Sequence, residues 1–245
     1  MATTFQELFN NVLINLGEEG ISGAVTTLEE QYHLTLRNFI NQILFEIQTA
    51  HNWGSLRRTC TATVTAGSDS ATVQYAAVDI SQSSRLARIP DSTSGSYIPL
   101  VFNITDPSNP VQMTERELFR IIRLQTLSLQ SQADPVDFAL DPFGSAMSIR
   151  LNPRPSTDQT ISLQMIVPQS RFVGNSTDMN SDIRLPPDAV TALEIGSTWY
   201  ALEERGEELG TNPLFTQARY DNALDSAIAI DDAGSSGDDY EMVVV

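Results

Sequence analysis

The hydrophobic period changes twice along this chain, and those changes constrain the fold more than any other feature. Up to about Asn52, apolar residues recur at intervals of three and four. A stretch rich in Thr and Val follows, in which apolar and polar residues alternate, and the three-four spacing returns after Arg184. A 3.6-residue period lays one stripe of a helix against a core, whereas a two-residue period lays one face of a strand there. The chain therefore predicts an α+β protein: a helical bundle made from N- and C-terminal helices with an inserted, mostly antiparallel β module. The expected boundaries are 1–54 for an N-terminal helical hairpin and 55–184 for the β module with one helix. Residues 185–233 would be helices completing the bundle, and 234–245 a flexible acidic tail.

The helices carry their own start and stop signals. Thr4 with Glu7 predicts a capping box ahead of Phe5, Leu8, Phe9, Val12, Leu13 and Leu16, and Gly17 supplies the stop. Thr26 with Glu29 predicts a second box, followed by Leu28, Tyr32, Leu36, Phe39, Ile40, Ile43, Leu44 and Ile47. The short connection predicts that these two helices pack antiparallel. Late in the chain, Pro186-Pro187-Asp188 opens a helix whose expected buried face is Val190, Leu193, Ile195, Trp199, Tyr200 and Leu202. Asn212 is the expected cap of a last helix carrying Phe215, Tyr220, Leu224, Ala227 and Ile228.

Between them, residues 57–67 and 70–76 read as a hairpin around Gly67-Ser68-Asp69, and 83–91 and 96–103 as two more strands. Thr114 with Glu117 predicts a cap for a helix with an apolar edge of Leu118, Phe119, Ile122 and Leu129, and Arg116, Arg120 and Arg123 beside it. Three further strands, 136–140, 146–153 and 160–168, are separated by Pro- and Gly-containing turns. The polar stretch 168–184 is expected to be an exposed loop.

Chemistry is sparse in this pattern. There is no nucleophile elbow, phosphate-binding glycine loop or dinucleotide fingerprint. Cys60 is the only cysteine, which rules out an internal disulfide and a cysteine-based zinc site. It falls in an alternating strand, as a small apolar filler would. His51 stands where the second helix ends, suited to the negative end of the helix dipole, and His33 lies mid-helix. Asp137 with Asp141, and the cluster Glu203, Glu204, Glu207 and Glu208, are the carboxylates a hydrolase would use; chance pairing in an acidic chain and a solvated acidic face are the simpler explanations. No catalytic, cofactor-binding or metal-binding residue is therefore assigned. No apolar run reaches the roughly 20 residues needed to span a bilayer, and the first residues lack a basic segment ahead of an apolar one. The net charge is −17 and all 14 cationic side chains are arginine, so a patch that grips duplex phosphates is not expected.

The order of elements then matters. Asn11, Leu13, Leu16, Gly17 and Glu18 close the first helix, and Asn38, Asn41 and Trp53 mark a long second helix that gives way to strands. Pro153 and Pro155 sit between paired strands, and "IRLPPDAV" and "ARYDNALDSA" open and close the late helices. This arrangement resembles the head-to-tail adaptor (connector ring) proteins of tailed bacteriophages, including the tail tubular protein A type. The resemblance implies a structural virion protein rather than an enzyme, synthesised in the host cytoplasm and placed at the head–tail junction beneath the portal. It implies a homo-oligomeric ring of twelve copies, in contact with the portal and a downstream tail or nozzle protein. Double-stranded DNA would pass through the lumen without specific binding, and no membrane or cofactor would be involved. On that reading Trp53 and Gly54 form a hinge between bundle and strands. The tip Tyr240, Met242, Val243, Val244 and Val245 is expected either to contact a partner by strand addition or to be a frayed chain end. A tail-associated hydrolase and a receptor-binding or fibre-attachment module are the alternatives.

Overall fold

The structure, a computed structural model, describes residues 3–21, 28, 30–75, 78–79, 101–126, 132–142, 146–205 and 215–235. The expected Thr26–Glu29 cap, the strand at 83–91, Leu129, Glu207 and Glu208, the Asn212 cap and the tail from 236 lie outside the described residues. Helices and antiparallel or mixed sheets are both present, as an α+β reading requires. The chain divides into two compact units. One joins residues 1–56 to 169–245, and the other is Arg57–Pro168. Residues 169–184, expected to end the β module, belong to the helical unit.

In the helical unit, α1 (Phe5–Asn15) begins on the expected box: the Thr4 hydroxyl accepts from the Glu7 N–H, and the Glu7 carboxylate accepts from the Thr4 N–H. It ends at Gly17, whose φ of +76° suits a residue without Cβ. Helix α2 (Gln31–Ala50) buries Leu36, Ile40, Ile43, Leu44 and Ile47. Helix α5 (Pro187–Glu204), which follows α3 (Leu118–Thr126) and the single-turn α4 (Ser176–Met179) in the chain, is the hub, on which α1, α2 and α6 (Gln217–Ser235) each pack. The expected α1–α2 hairpin is thus secondary to the packing on α5.

The buried face of α5 also differs from the expected one. Ala189, Ala192, Leu193, Gly196, Ser197, Thr198 and Ala201 are buried, while Ile195, Trp199 and Tyr200 are only half-buried. Small residues allow neighbouring helices to approach closely, and apolar periodicity does not register them. At Gly196 a Cβ would stand 2.8 Å from Tyr220 Cδ2 and 2.9 Å from Ile43 Cγ2, on two neighbouring helices at once. Gly196→Ala should therefore cost about 1–3 kcal/mol through overpacking, against a gain of about 1 kcal/mol in helix propensity. Urea unfolding followed by tryptophan fluorescence would show a net loss; a gain in stability would mean that Tyr220 yields freely.

In the other unit, β1 (Arg57–Val64) pairs antiparallel with β10 (Gln159–Ile166) along its whole length, from Arg57 opposite Ile166 to Val64 opposite Gln159. Among the described residues, six strands form one sheet, in the order β4 (Val78–Asp79), β3 (Gln74–Tyr75), β1, β10, β5 (Val101–Asn103), β6 (Val111–Gln112). Four form a second: β2 (Ser70–Thr72), β9 (Ser148–Asn152), β8 (Asp137–Asp141), β7 (Thr114–Glu115). Alternate residues of both sheets share one core, with Cys60, Ala62 and Val64 from β1, Ile149 and Leu151 from β9, and Ile161 and Leu163 from β10. This is a sandwich.

Two expectations fail here. The segment after Gly67 does not simply return along β1. Its first half, β2, pairs with β9, and only after buried Val73 does β3 meet β1, with Gln74 opposite Thr61. Thr114 caps no helix: Thr114 and Glu115 run parallel to β8, and helix α3 starts at Leu118. Its buried face is Ile121 and Gln125, not Phe119, which is 71% exposed. Gln125 is buried because its amide donates to the carbonyls of Asp69 and Leu151, both at 3.1 Å.

Candidate functional site

Two constellations in the helical unit hold more than ordinary core. The first is where α2 ends. Asp231, on α6, accepts from the Gly54 N–H at 3.0 Å and meets His51 Nε2 at 3.0 Å. His51 stands edge-on to Trp53, with ring centroids 4.9 Å apart. Trp53 is fully buried and its indole N–H donates to the Ile47 carbonyl at 2.7 Å, near the helix end where carbonyls lack intrahelical partners. His51 therefore does cap α2, but in partnership with a carboxylate 180 residues away that local pattern could not reveal. Gly54 has no left-handed backbone; its position depends on its N–H, which starts a short 3-10 turn over Gly54–Leu56 and is satisfied by Asp231.

The second constellation is built on the stretch expected to be an exposed loop. Phe172 is 3% exposed and stacks on Phe5, with centroids 4.0 Å apart. Asn41 on α2 holds both backbone groups of Phe172: its amide donates to the carbonyl at 2.9 Å and its oxygen accepts from the N–H at 2.8 Å. Arg37 donates to the Val173 carbonyl at 2.7 Å. Gly174, at φ +86°, lies so close to Leu28 that a Cβ would fall 2.9 Å from Leu28 Cδ1. Farther on, the Phe5 N–H donates to the Ser181 carbonyl and the Ile183 N–H to the Thr3 carbonyl, pinning the start of α1. The polar composition of 168–184 concealed this, because Phe172, Met179 and Ile183 follow neither period.

Beside this latch runs a groove of about 500 Å³ lined by Arg37, Asn38, Asn41, Gln42, Phe45, Arg171, Phe172 and Val173. Its walls combine two arginines with Phe45, 45% exposed, and Val173, 63% exposed.

The residues considered for catalysis do not converge. Asp137 and Asp141 lie four residues apart on β8, about 13 Å at ~3.3 Å per residue. That exceeds the spacing of a glycosidase pair. Each is tied instead to arginine: Arg116 with Asp137 at 3.1 Å, Arg150 with Asp141 at 2.8 Å. Glu203 and Glu204 are exposed at the end of α5. Among the described residues, no three His, Cys, Asp or Glu side chains are grouped to hold a metal ion. No described helix is long and apolar enough to cross a membrane. Burial, followed by Glu46 and nearby acids, raises the Tyr200 and Tyr220 hydroxyls above their usual range, and the Tyr200 hydroxyl accepts from the Gln42 amide at 2.9 Å. Burial likewise pushes the Cys60 thiol up to about 11, against a smaller lowering by Arg58. At pH 8 only about one Cys60 in a thousand is then thiolate. A thiol reagent should leave native protein unmodified at that pH and modify it once the sandwich opens. Rapid native-state labelling would contradict the buried placement.

The comparison with known families supplies what geometry alone does not. The SU10 adaptor protein family matches residues 3–241. The chain belongs to the SU10 adaptor protein family. It is a bacteriophage adaptor, a structural protein. No curated protein matches it significantly.

In this SU10 adaptor, asparagines of α1 and α2 fasten the bundle. Asn11 and Asn15 on α1 donate to the two carboxylate oxygens of Glu194 on α5, at 3.2 and 2.9 Å. Asn10 holds the Ile21 backbone by both N–H and carbonyl, and Asn41 does the same for Phe172. A side-chain amide offers a donor and an acceptor together, so it can bind an extended backbone segment as another strand would.

Proposed function

We propose that this adaptor forms a ring at the head–tail junction of a phage particle, beneath the portal, in the manner of the tail tubular protein A type. Twelve copies would close the ring, joining the portal to the next tail protein, with the genome passing through the lumen. The observation that carries this reading is the SU10 adaptor match over residues 3–241. Two physical features support it. A net charge of −17 repels duplex phosphates, so a lumen of this protein lets DNA slide rather than adhere. Cyclic closure needs two different faces on each subunit, and a chain with a helical unit and a sandwich unit has them.

Trp53 and Gly54 are the proposed hinge, since the chain leaves the helical unit within three residues of Gly54. Tyr240 and Met242 to Val245 are the proposed contact with the portal or a neighbouring subunit. Imaging of the particle neck with the protein tagged tests the ring. A twelvefold ring bearing the tag between portal and tail is expected; a tag found at the fibres or the tail tip would overturn the reading. Loss of attachment to portal-bearing heads after removal of residues 234–245 would support the tail contact, and unchanged attachment would remove it.

A further inference from the structure

The groove beside α2 is positively charged in a strongly acidic chain. Arg116, Arg150, Arg154 and Arg205 each meet a carboxylate. Among the described residues, Arg37 and Arg171 do not. Arg37 donates to the Val173 carbonyl and to the Asn38 side chain, and Arg171 is exposed. Asp178, on the same segment as Arg171, accepts from the Val173 N–H at 2.7 Å and pairs with neither arginine. Phe45 and Val173 add exposed apolar surface to the groove. A surface that fits must bring carboxylates and apolar groups together.

Helix α6 presents such a surface. Asp221, Asp225 and Asp232 are exposed, and their spacings of four and seven put them on one stripe of the helix. Half-buried Leu224 and Ile228 run along one flank of that stripe, and exposed Ala218 and Ala229 along the other. Arg219, the one cation of α6, lies roughly 160° from Asp221 around the helix. Asp232 already meets His51 at 3.6 Å, whereas Asp221 and Asp225 make no ion pair among the described residues. These two stand about 6 Å apart along the helix axis, with small side chains beside them that let another surface come close.

Within one copy the two surfaces stay apart. Arg37, Asn41 and Phe45 recur at every fourth residue, on a face of α2 distinct from that of buried Ile40, Ile43 and Ile47. Helix α6 approaches α2 on the Ile43 side, where Tyr220 and Ile43 close over Gly196, and no residue of α6 lines the groove. Copies that each carry a charge of −17 repel one another, so a contact between neighbours has to bring opposite local charges together. We propose that α6 of a second copy docks in the Arg37–Arg171 groove, with Asp221 and Asp225 toward the arginines and Ile228 and Ala229 toward Phe45 and Val173. The two surfaces differ, so the contact is head-to-tail and leaves one groove and one α6 of each pair open to further copies. It supplies the interface between neighbours in the ring proposed above and rests on that reading for its repetition, while the pairwise contact is tested apart from it.

The test mixes two preparations of the full chain, Val173→Cys and Ala229→Cys, one of them tagged, under mild oxidation at micromolar concentration and neutral pH, where Cys60 is silent. Disulfide trapping records transient encounters, so a stable assembly is not required. The mixed 173–229 disulfide is expected to form about tenfold faster than a control pairing Val173→Cys with Thr191→Cys, exposed on α5. Arg171→Glu in the first preparation should slow it about tenfold, and Asp225→Arg in the second should restore it. Tryptophan fluorescence verifies that each variant is folded, and rescue by the second reversal separates a direct contact from a folding defect. A rate equal to the control, indifference to Arg171→Glu, or no rescue by Asp225→Arg would overturn the proposal. Trapping without a ring at the particle neck would overturn the ring alone, and a ring without trapping would overturn this contact alone.

Discussion

Trp53→Ala should destabilise the helical unit by about 3–5 kcal/mol, the range for removing a large aromatic from a core that cannot collapse around the space. Trp53 is fully buried, its N–H is satisfied by Ile47, and its ring supports His51, which in turn engages Asp231. Removal therefore leaves a cavity, an unpaired carbonyl at the helix end and a histidine without its aromatic neighbour. The remaining tryptophan, Trp199, stacks on Tyr220 in the same unit and reports its unfolding. The urea midpoint should fall by on the order of 1–3 M. Trp53→Phe should retain much of the packing and lose about 1–2 kcal/mol for the missing hydrogen bond. A loss under 1 kcal/mol for the alanine variant would show that the α2 terminus does not depend on this side chain.

Phe172→Ala should cost a similar amount, about 3–5 kcal/mol, but with a different signature. Phe172 is the apolar anchor at the start of a segment that is also held by hydrogen bonds, Asn41 to its backbone, Arg37 to Val173 and Leu28 to Gly174, with Met179 and Ile183 buried farther along. Without the ring stacked on Phe5, those bonds face water and the segment opens on its own. Hydrogen exchange should then accelerate at the N–H groups of Phe5, Leu28 and Ile183, which donate to or from this segment, before the buried N–H groups of α5 respond. Uniform acceleration across the unit would mean that the segment and the bundle unfold as one.

The parts of the fold legible in the sequence are those governed by neighbours within a few residues. The Thr4–Glu7 box, the Gly17 stop and the alternating burial of β1 and β10 follow from side chains three residues apart, a positive φ, and a period of two. The resemblance to phage adaptors rested on such local features in their order, and the SU10 adaptor match over residues 3–241 agrees with it at that level. Local composition and tertiary context diverge elsewhere in the chain. Thr114 and Glu115 have the chemistry of a helix cap, yet β8 recruits them as a strand. Phe119 has the character of a core residue, yet α3 buries Gln125 in its place because two backbone carbonyls require a donor there.

Periodicity, caps and the position of the inserted strands were thus decided by short-range sterics and the burial pattern, which act identically in any context that keeps the segment intact. The joins between distant segments were not. Asp231 meets His51 and Gly54, Asn41 holds Phe172, and Gly196 lets Tyr220 and Ile43 close on α5. Each depends on which surfaces meet after the chain has folded back over more than a hundred residues or between separate helices. A hydrogen bond or a close backbone approach leaves no periodic trace in either partner, so only the packed structure could reveal it.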